Sequence, residues 1–293
     1  NDTVDIYGYF KNGELNLGDG NNTVNTGSLT NASVLTDNGE DKITISGGVT
    51  SSQINTGAHS DSVEVANNIY NSYIDLGEGS NSLQTGGYYK FGAIKGGDSS
   101  DILAIGGDVE QLSVELAGGD NSLTIQGYAK SLDYTGGNKN DNLFIDSYAK
   151  DTHINLGSKG TNTAAIGGYL NTGSLAGGSE SDSLEVGGYI SNVDINLQGG
   201  HNYVDVDGVS QNSNIHALNG NDTVSIQGHF KNGDLHLAGG NNTVDTGSLL
   251  NASVVTTSGK DDINISGGVT SSTINTGSHS DSVEVANNIY NSY

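Results

Sequence analysis

The sequence predicts an all-β fold: a parallel β-solenoid (a β-helix or β-roll) with about 20 residues per coil, two main strands per coil and about 15 coils. Three observations predict it. A glycine-rich turn such as Gly96-Gly97-Asp98-Ser99-Ser100-Asp101 returns at a nearly fixed interval along the whole chain. Apolar residues alternate by two after each turn, the pattern of a strand with one buried face. The composition has 45 Gly, no Pro and 33% hydrophobic residues, too little for a thick core but enough for a thin, long one.

The period is read from the first apolar residue after each turn. These anchors are Val4, Val24, Ile43, Val63, Leu83, Leu103, Leu123, Leu143, Ala164, Leu184, Val204, Val224, Val244, Ile263 and Val283. The step between anchors is constant with three exceptions: Val24 to Ile43 and Val244 to Ile263 are one shorter, and Leu143 to Ala164 is one longer. A fixed spacing of this size marks a stack in which each unit contacts its neighbours.

Within a coil the first strand starts at the anchor, as in Ile43 and Ile45 or Leu184 and Val186. The second centres eleven to thirteen positions further on, as in Ile74 and Leu76 or Ile195 and Leu197. A glycine or asparagine pair followed by an apolar residue separates them, as in Gly47-Gly48-Val49. Glycines at the corners supply the positive φ that a tight coil needs. The lack of proline suits strands that must each give an amide donor to a neighbour. Helix is disfavoured by frequent Gly and by β-branched residues at the buried positions. Stacked at ~4.8 Å, such coils span roughly 70 Å.

The chain reads as one continuous solenoid over 1–293 with a longer repeat inside it. Residues 221–293 match residues 1–73 at 56 of 73 positions, an offset of eleven coils, and His59–Tyr73 recurs unchanged as His279–Tyr293. Differences fall at Asp5/Ser225, Tyr7/Gln227, Glu14/Asp234, Asn16/His236 and Thr44/Asn264, which alternation turns outward. Val4, Ile6, Phe10, Leu15 and Leu17, turned inward, are the same in both copies. This near-copy is expected to be a window on a longer array.

One column stands out. The position two before each anchor holds Asp2, Asn22, Asp41, Asp61, Asn81, Asp101, Asn121, Asp141, Asn162, Asp182, Asn202, Asp222, Asn242, Asp261 and Asp281, all Asp or Asn. With the glycines before it, this turn resembles the RTX nonapeptide G-G-x-G-x-D-x-U-x, where U is apolar. Gly96–Ala104 matches it except for Ser99 at the third glycine, and Leu17–Asn25 and Leu76–Gln84 are looser versions. The resemblance covers one turn of each coil and fails on the other, where Gly106-Gly107-Asp108 or Asn67-Asn68 stands. It implies Ca2+ between successive turns, carried over to Asp101, Asp141, Asp182 and Asp222. Asn in almost every second coil halves the charge there. The competing reading is structural: Asx capping the corner through nearby backbone amides, with no cofactor required.

A second column is aromatic. Tyr88, Tyr128, Tyr148, Tyr169 and Tyr189 recur at the coil period, all but Tyr148 directly after a glycine, and Lys90, Lys130 and Lys150 stand two positions after three of them. They form a candidate contact face for sugar or for another fibre; the alternative is a ladder that stabilises its own stack. The seven His share no metal-ligand spacing. No Ser-His-Asp set rises above background, so no enzyme activity is expected. The near-constant coil length leaves no room for the long loops of β-helical polysaccharide-degrading enzymes.

A net charge of −24 with no Arg excludes nucleic acid and argues against anionic membrane surfaces, and no apolar run is long enough for a membrane span. The expected role is an extracellular structural or adhesive repeat on a bacterial cell surface. It resembles the stalk of a giant RTX-like adhesin or the shaft of a filament. Partners are then other copies of the chain or surface polysaccharide. The alternatives are a calcium-dependent RTX-type secreted module and, more remotely, a polysaccharide-binding or polysaccharide-degrading β-helix.

Overall fold

A computed structural model describes residues 1–293. It is a parallel β-solenoid of about 14 turns with about 20 residues per turn and no helix. The coils group into two compact units, Asn1–Ser147 and Tyr148–Tyr293, built on the same plan. No helix is long and apolar enough to cross a membrane.

Within each unit the anchors stack in register. In the first, Leu83 pairs with Val63 on one side and Leu103 on the other, and Leu123 joins Leu103 to Leu143. In the second, Ala164, Leu184, Val204, Val224, Val244, Ile263 and Val283 follow one another in the same way. Every pair is parallel, so side chains of one type lie over their equivalents at the strand spacing. The thirteen anchors from Val24 to Ile263 are almost fully buried, while Val4 and Val283 lie in the outermost coils and are more exposed.

The alternation read from sequence is the facing observed. Val224, Ile226, Phe230, Leu235 and Leu237 are buried, whereas Gln227, Asp234 and His236 are exposed. The short step has a local cause: strand Thr23–Thr30 lacks one residue between Thr26 and Ser28, and its pairing with Thr3–Lys11 shifts between Ile6 and Tyr9. The same shift falls between Ile226 and His229 in the copy.

The second strand of each coil is bent, a feature alternation alone does not predict. In Val109–Leu116, Gln111 has φ 49°, and in Tyr89–Gly96, Phe91 has φ 58°. The same left-handed bend recurs at Asn12, Asn31, Ser51, Asn71 and Ser131 in the first unit. In the second it falls at Asp151, Thr172, Asn192, Asn212, Asn232, Asn251, Ser271 and Asn291. Asn predominates because its short polar side chain tolerates this region best among non-glycine residues. Where the bend interrupts pairing, the coil shows three strand segments, as in Lys42–Ile45, Val49–Thr50 and Gln53–Asn55.

Candidate functional site

The Asp/Asn column lies inside the corner. From Asn22 to Asp261 all thirteen members are almost fully buried. One capping bond runs from coil to coil: within each unit the Asx Oδ1 accepts the backbone N–H of the Asx one coil earlier. In the first unit Asn22 donates to Asp41 at 2.7 Å, Asp41 to Asp61 at 2.7 Å, Asp61 to Asn81 at 2.9 Å, Asn81 to Asp101 at 3.0 Å and Asp101 to Asn121 at 2.9 Å. The second unit repeats this from Asn162 to Asp281 at 2.8–3.2 Å. The expected cap by nearby amides is present at Asp141 and Asp182, and a cross-coil chain of bonds is added to it. A corner that turns out of the sheet ladder leaves an N–H to be paired, and an oxygen at this position meets that need whether the residue is Asp or Asn.

The second side-chain atom separates Asp from Asn. Asparagine Nδ2 donates to carbonyls of its own turn: Asn22 to Gly18 and Gly20, Asn81 to Gly77 and Gly79. Asn121 serves Leu116, Gly118, Gly119 and the Asp141 carboxylate, the last at 2.8 Å. Aspartate has no such hydrogen. At Asp141 and Asp182, Oδ2 instead accepts the N–H of Gly137 and Gly178, each at 2.7 Å. At Asp41, Asp61, Asp101, Asp222 and Asp261, Oδ2 is buried with no hydrogen-bond partner.

The residue five positions before decides which arrangement forms. Leu17, Leu76, Leu116, Leu197 and Leu237 precede Asn22, Asn81, Asn121, Asn202 and Asn242; Leu156 precedes Asn162 by six because that turn holds the extra residue of the one long step. Asp instead follows Thr36, Thr56, Gly96, Gly136, Gly177, Ala217, Thr256 or Thr276. The reason is steric. A Cβ added at Gly96 would collide with Oδ2 of Asp101 and lie 3.0 Å from Leu116 of the next coil; one at Gly177 would collide with Oδ2 of Asp182. The carboxylate leans into space that leucine fills in the neighbouring coil. Large and small corner residues alternate so that both fit, and Asn and Asp alternate with them. Eleven is odd, so one coil in each eleven-coil repeat breaks the alternation, giving Asp41 followed by Asp61 and Asp261 followed by Asp281. Sequence reasoning recorded the Asp/Asn alternation but missed its partner column, which can be found by aligning the residue five before each Asx.

Burial raises the pKa of five of these acids, Asp61, Asp101, Asp141, Asp182 and Asp222. It pushes Asp61 up to about 7, helped by the Asp41 charge and opposed by the Asp41 amide, Thr56 and His59. It pushes Asp101 up to about 6, against the amides of Asn81 and Gly97. Asp141, Asp182 and Asp222 are raised for the same first cause. The proton is favoured because burial disfavours the charged carboxylate.

Calcium fits these corners poorly. Ca2+ takes 6–8 oxygen ligands. At Asp141 and Asp182 both oxygens face N–H donors, and at Asp101 and Asp222 the coil on either side presents an Asn. No three acidic or histidine side chains converge anywhere in a group able to hold a metal. Removing divalent ions with a chelator is expected to leave the melting temperature unchanged; a drop of about 5 °C or more would show a bound ion stabilising the fold.

The tyrosine column divides. Tyr148, Tyr169 and Tyr189 stack face to face, with ring centroids 4.7 and 4.9 Å apart and planes within 10°. Tyr88 sits under the Lys90 ammonium at 5.0 Å, and Lys90 bridges to Glu110 at 2.9 Å. Tyr128 donates to Glu110. The rings of Tyr148, Tyr169 and Tyr189 turn their faces to one another and so support their own stack. Tyr169→Ala is expected to cost about 1–2 kcal/mol of stability in chemical denaturation.

No family profile matches the chain, and no relative is found among curated proteins. Among solved structures it is similar to a hyperactive, Ca2+-dependent, β-helical antifreeze protein from an Antarctic bacterium, at 20% identity over 94% of this chain and 83% of that one, with a TM-score of 0.56. The likeness is one of fold. The outward positions after the anchors here read Asp5, Asn25, Thr44, Glu64, Gln84 and Ala104, a mixture of charge and size and not a uniform array.

Proposed function

We propose that this chain is a structural segment of an extracellular bacterial surface protein, in the manner of an adhesin stalk or filament shaft. One observation carries the proposal: within each unit the coils pass from one to the next in parallel register, at near-constant length and with no inserted loop. No inserted segment builds a cleft. The buried material is a thin apolar core and a corner column whose polar groups bond from coil to coil. Nearest-neighbour stacks of this kind gain stability with each added coil, and a charge of −24 keeps the surface soluble. Enzyme activity is no part of the proposal, and metal is not required by it.

Antibody labelling of intact cells of the source organism tests location. Signal on unpermeabilised cells is expected; signal only after permeabilisation would defeat the extracellular reading. Pulling the chain from its two ends in an optical trap tests the mechanical role. Extension in repeated steps of about one coil is expected, each releasing ~20 residues or roughly 70 Å of chain. Unfolding at forces no greater than those of a molten chain would defeat the structural reading.

A further inference from the structure

The bend of the second strand runs along each unit as a seam, and in the first unit it borders a shallow, open groove. Asn31, Ser51, Gln53, Asn71, Tyr73 and Phe91 supply its larger side chains. None of the lining residues is charged, on a chain with 34 acidic residues. The groove is thus a neutral strip on an acidic surface, furnished with amides, hydroxyls and an aromatic ring.

Phe91 is the unusual member. It holds φ 58° at a seam position otherwise occupied by Asn, Ser, Gln, Asp or Thr, and its side chain is 36% exposed. A bulky residue in the left-handed region is strained, and the partly exposed ring offsets that strain only in part. Tyr70 meets it edge to face at 5.2 Å, which fixes the ring without covering it. The seam amides of Asn31 and Asn71 are held in place by bonds to Asn12 and Ser51 along the stack. Their side-chain oxygens, and the Gln53 amide, make no hydrogen bond within the chain. The second unit provides a contrast: its groove at the same seam is lined by Asn232, Asn251, Ser271 and the charged Asp234, with no aromatic residue.

We infer that the groove beside Phe91 binds a neutral oligosaccharide, with a sugar ring laid against Phe91 and its hydroxyls bonded to Asn71, Gln53 and Ser51. Carbohydrates present apolar C–H faces and many hydroxyls, and a site with a few placed polar groups and one aromatic wall suits that chemistry. The acidic surroundings disfavour anionic polymers. The strain at Phe91 is a cost of the kind found at binding sites.

The test is an NMR titration of the chain with cellohexaose, laminarihexaose and chitohexaose, each taken to about 10 mM, the range needed to detect millimolar affinity. Shifts clustered around Asn71, Tyr73 and Phe91 are expected with at least one of them. Phe91→Asn is expected to weaken that binding at least about tenfold while leaving the melting temperature equal or higher, because Asn accepts the bend at lower cost. A residue present only for packing would behave in the opposite way, lowering the melting temperature and leaving binding unchanged. No shifts with any of the three sugars, shifts centred on Tyr148–Tyr189, or binding unaffected by Phe91→Asn would each overturn the inference.

Discussion

Raising the pH from about 5 to about 8 is expected to lower the melting temperature of this protein, against the trend set by acids in exposed ion pairs. The sign follows from the direction of the shifts. Burial holds Asp61 at about 7 and Asp101 at about 6, above the ordinary 3.8, and raises Asp141, Asp182 and Asp222 as well. A carboxyl with a raised folded-state pKa binds its proton more tightly when folded. Its stabilising contribution is complete below the unfolded value near 4 and is lost as the pH climbs through 6 and 7. For Asp61 and Asp101 together the loss is on the order of a few kcal/mol, and self-repulsion at a net charge of −24 acts in the same direction. Glu110, held low by Tyr128 and Lys90, works the other way, but it lies at the surface, where such pairs count for little. Thermal melts across this range check the slope. Asp61→Asn should flatten it and add about 1–3 kcal/mol at pH 8 by supplying the missing donor. A melting temperature that rises with pH, or a slope that Asp61→Asn leaves unaltered, would refute the account.

Replacing Asn121 with Ala should be among the most damaging single changes in the chain, costing about 3–5 kcal/mol in denaturant unfolding. Its Oδ1 caps the Asp101 amide, and its Nδ2 faces three turn carbonyls and the Asp141 carboxylate. The corner is closed to water, so each abandoned group stays unsatisfied. The informative companion is Asn121→Asp. It keeps the acceptor and removes the donor, placing three acids in consecutive coils beside Leu116. It should be tolerated near pH 5 and fail near pH 8, because a protonated acid can replace the amide and a carboxylate cannot. Equal losses from both variants at both pH values would mean that the column acts by packing alone.

Much of this architecture was legible in the chain. The constant period gave the coil, alternation by two gave the facing, and the invariant Asx two before each anchor located the corner. These features are written plainly because a parallel stack places each residue over its own equivalent, so a structural requirement at one point must be repeated along the sequence. Other features were legible only in part. The left-handed bend is spread over Asn, Ser, Asp, Gln, Thr and Phe, and alternation carries no information about φ. The tyrosine column was visible, but whether its rings offer faces or edges depends on side-chain angles that spacing does not specify.

The turn at Gly96–Gly107 shows where the division falls. Sequence by itself determined that it is a corner, that Asp101 is its fixed point, and that its form is close to a calcium-binding repeat. Tertiary structure decided what the aspartate does. Its oxygens meet the Asn81 amide from the preceding coil and space kept open by Gly96 beneath Leu116 of the next. Those partners come from the neighbouring coils on either side. Whether a buried carboxyl is matched by an amide, a proton or an ion depends on atoms brought together only by stacking, and the local motif is the same in each case.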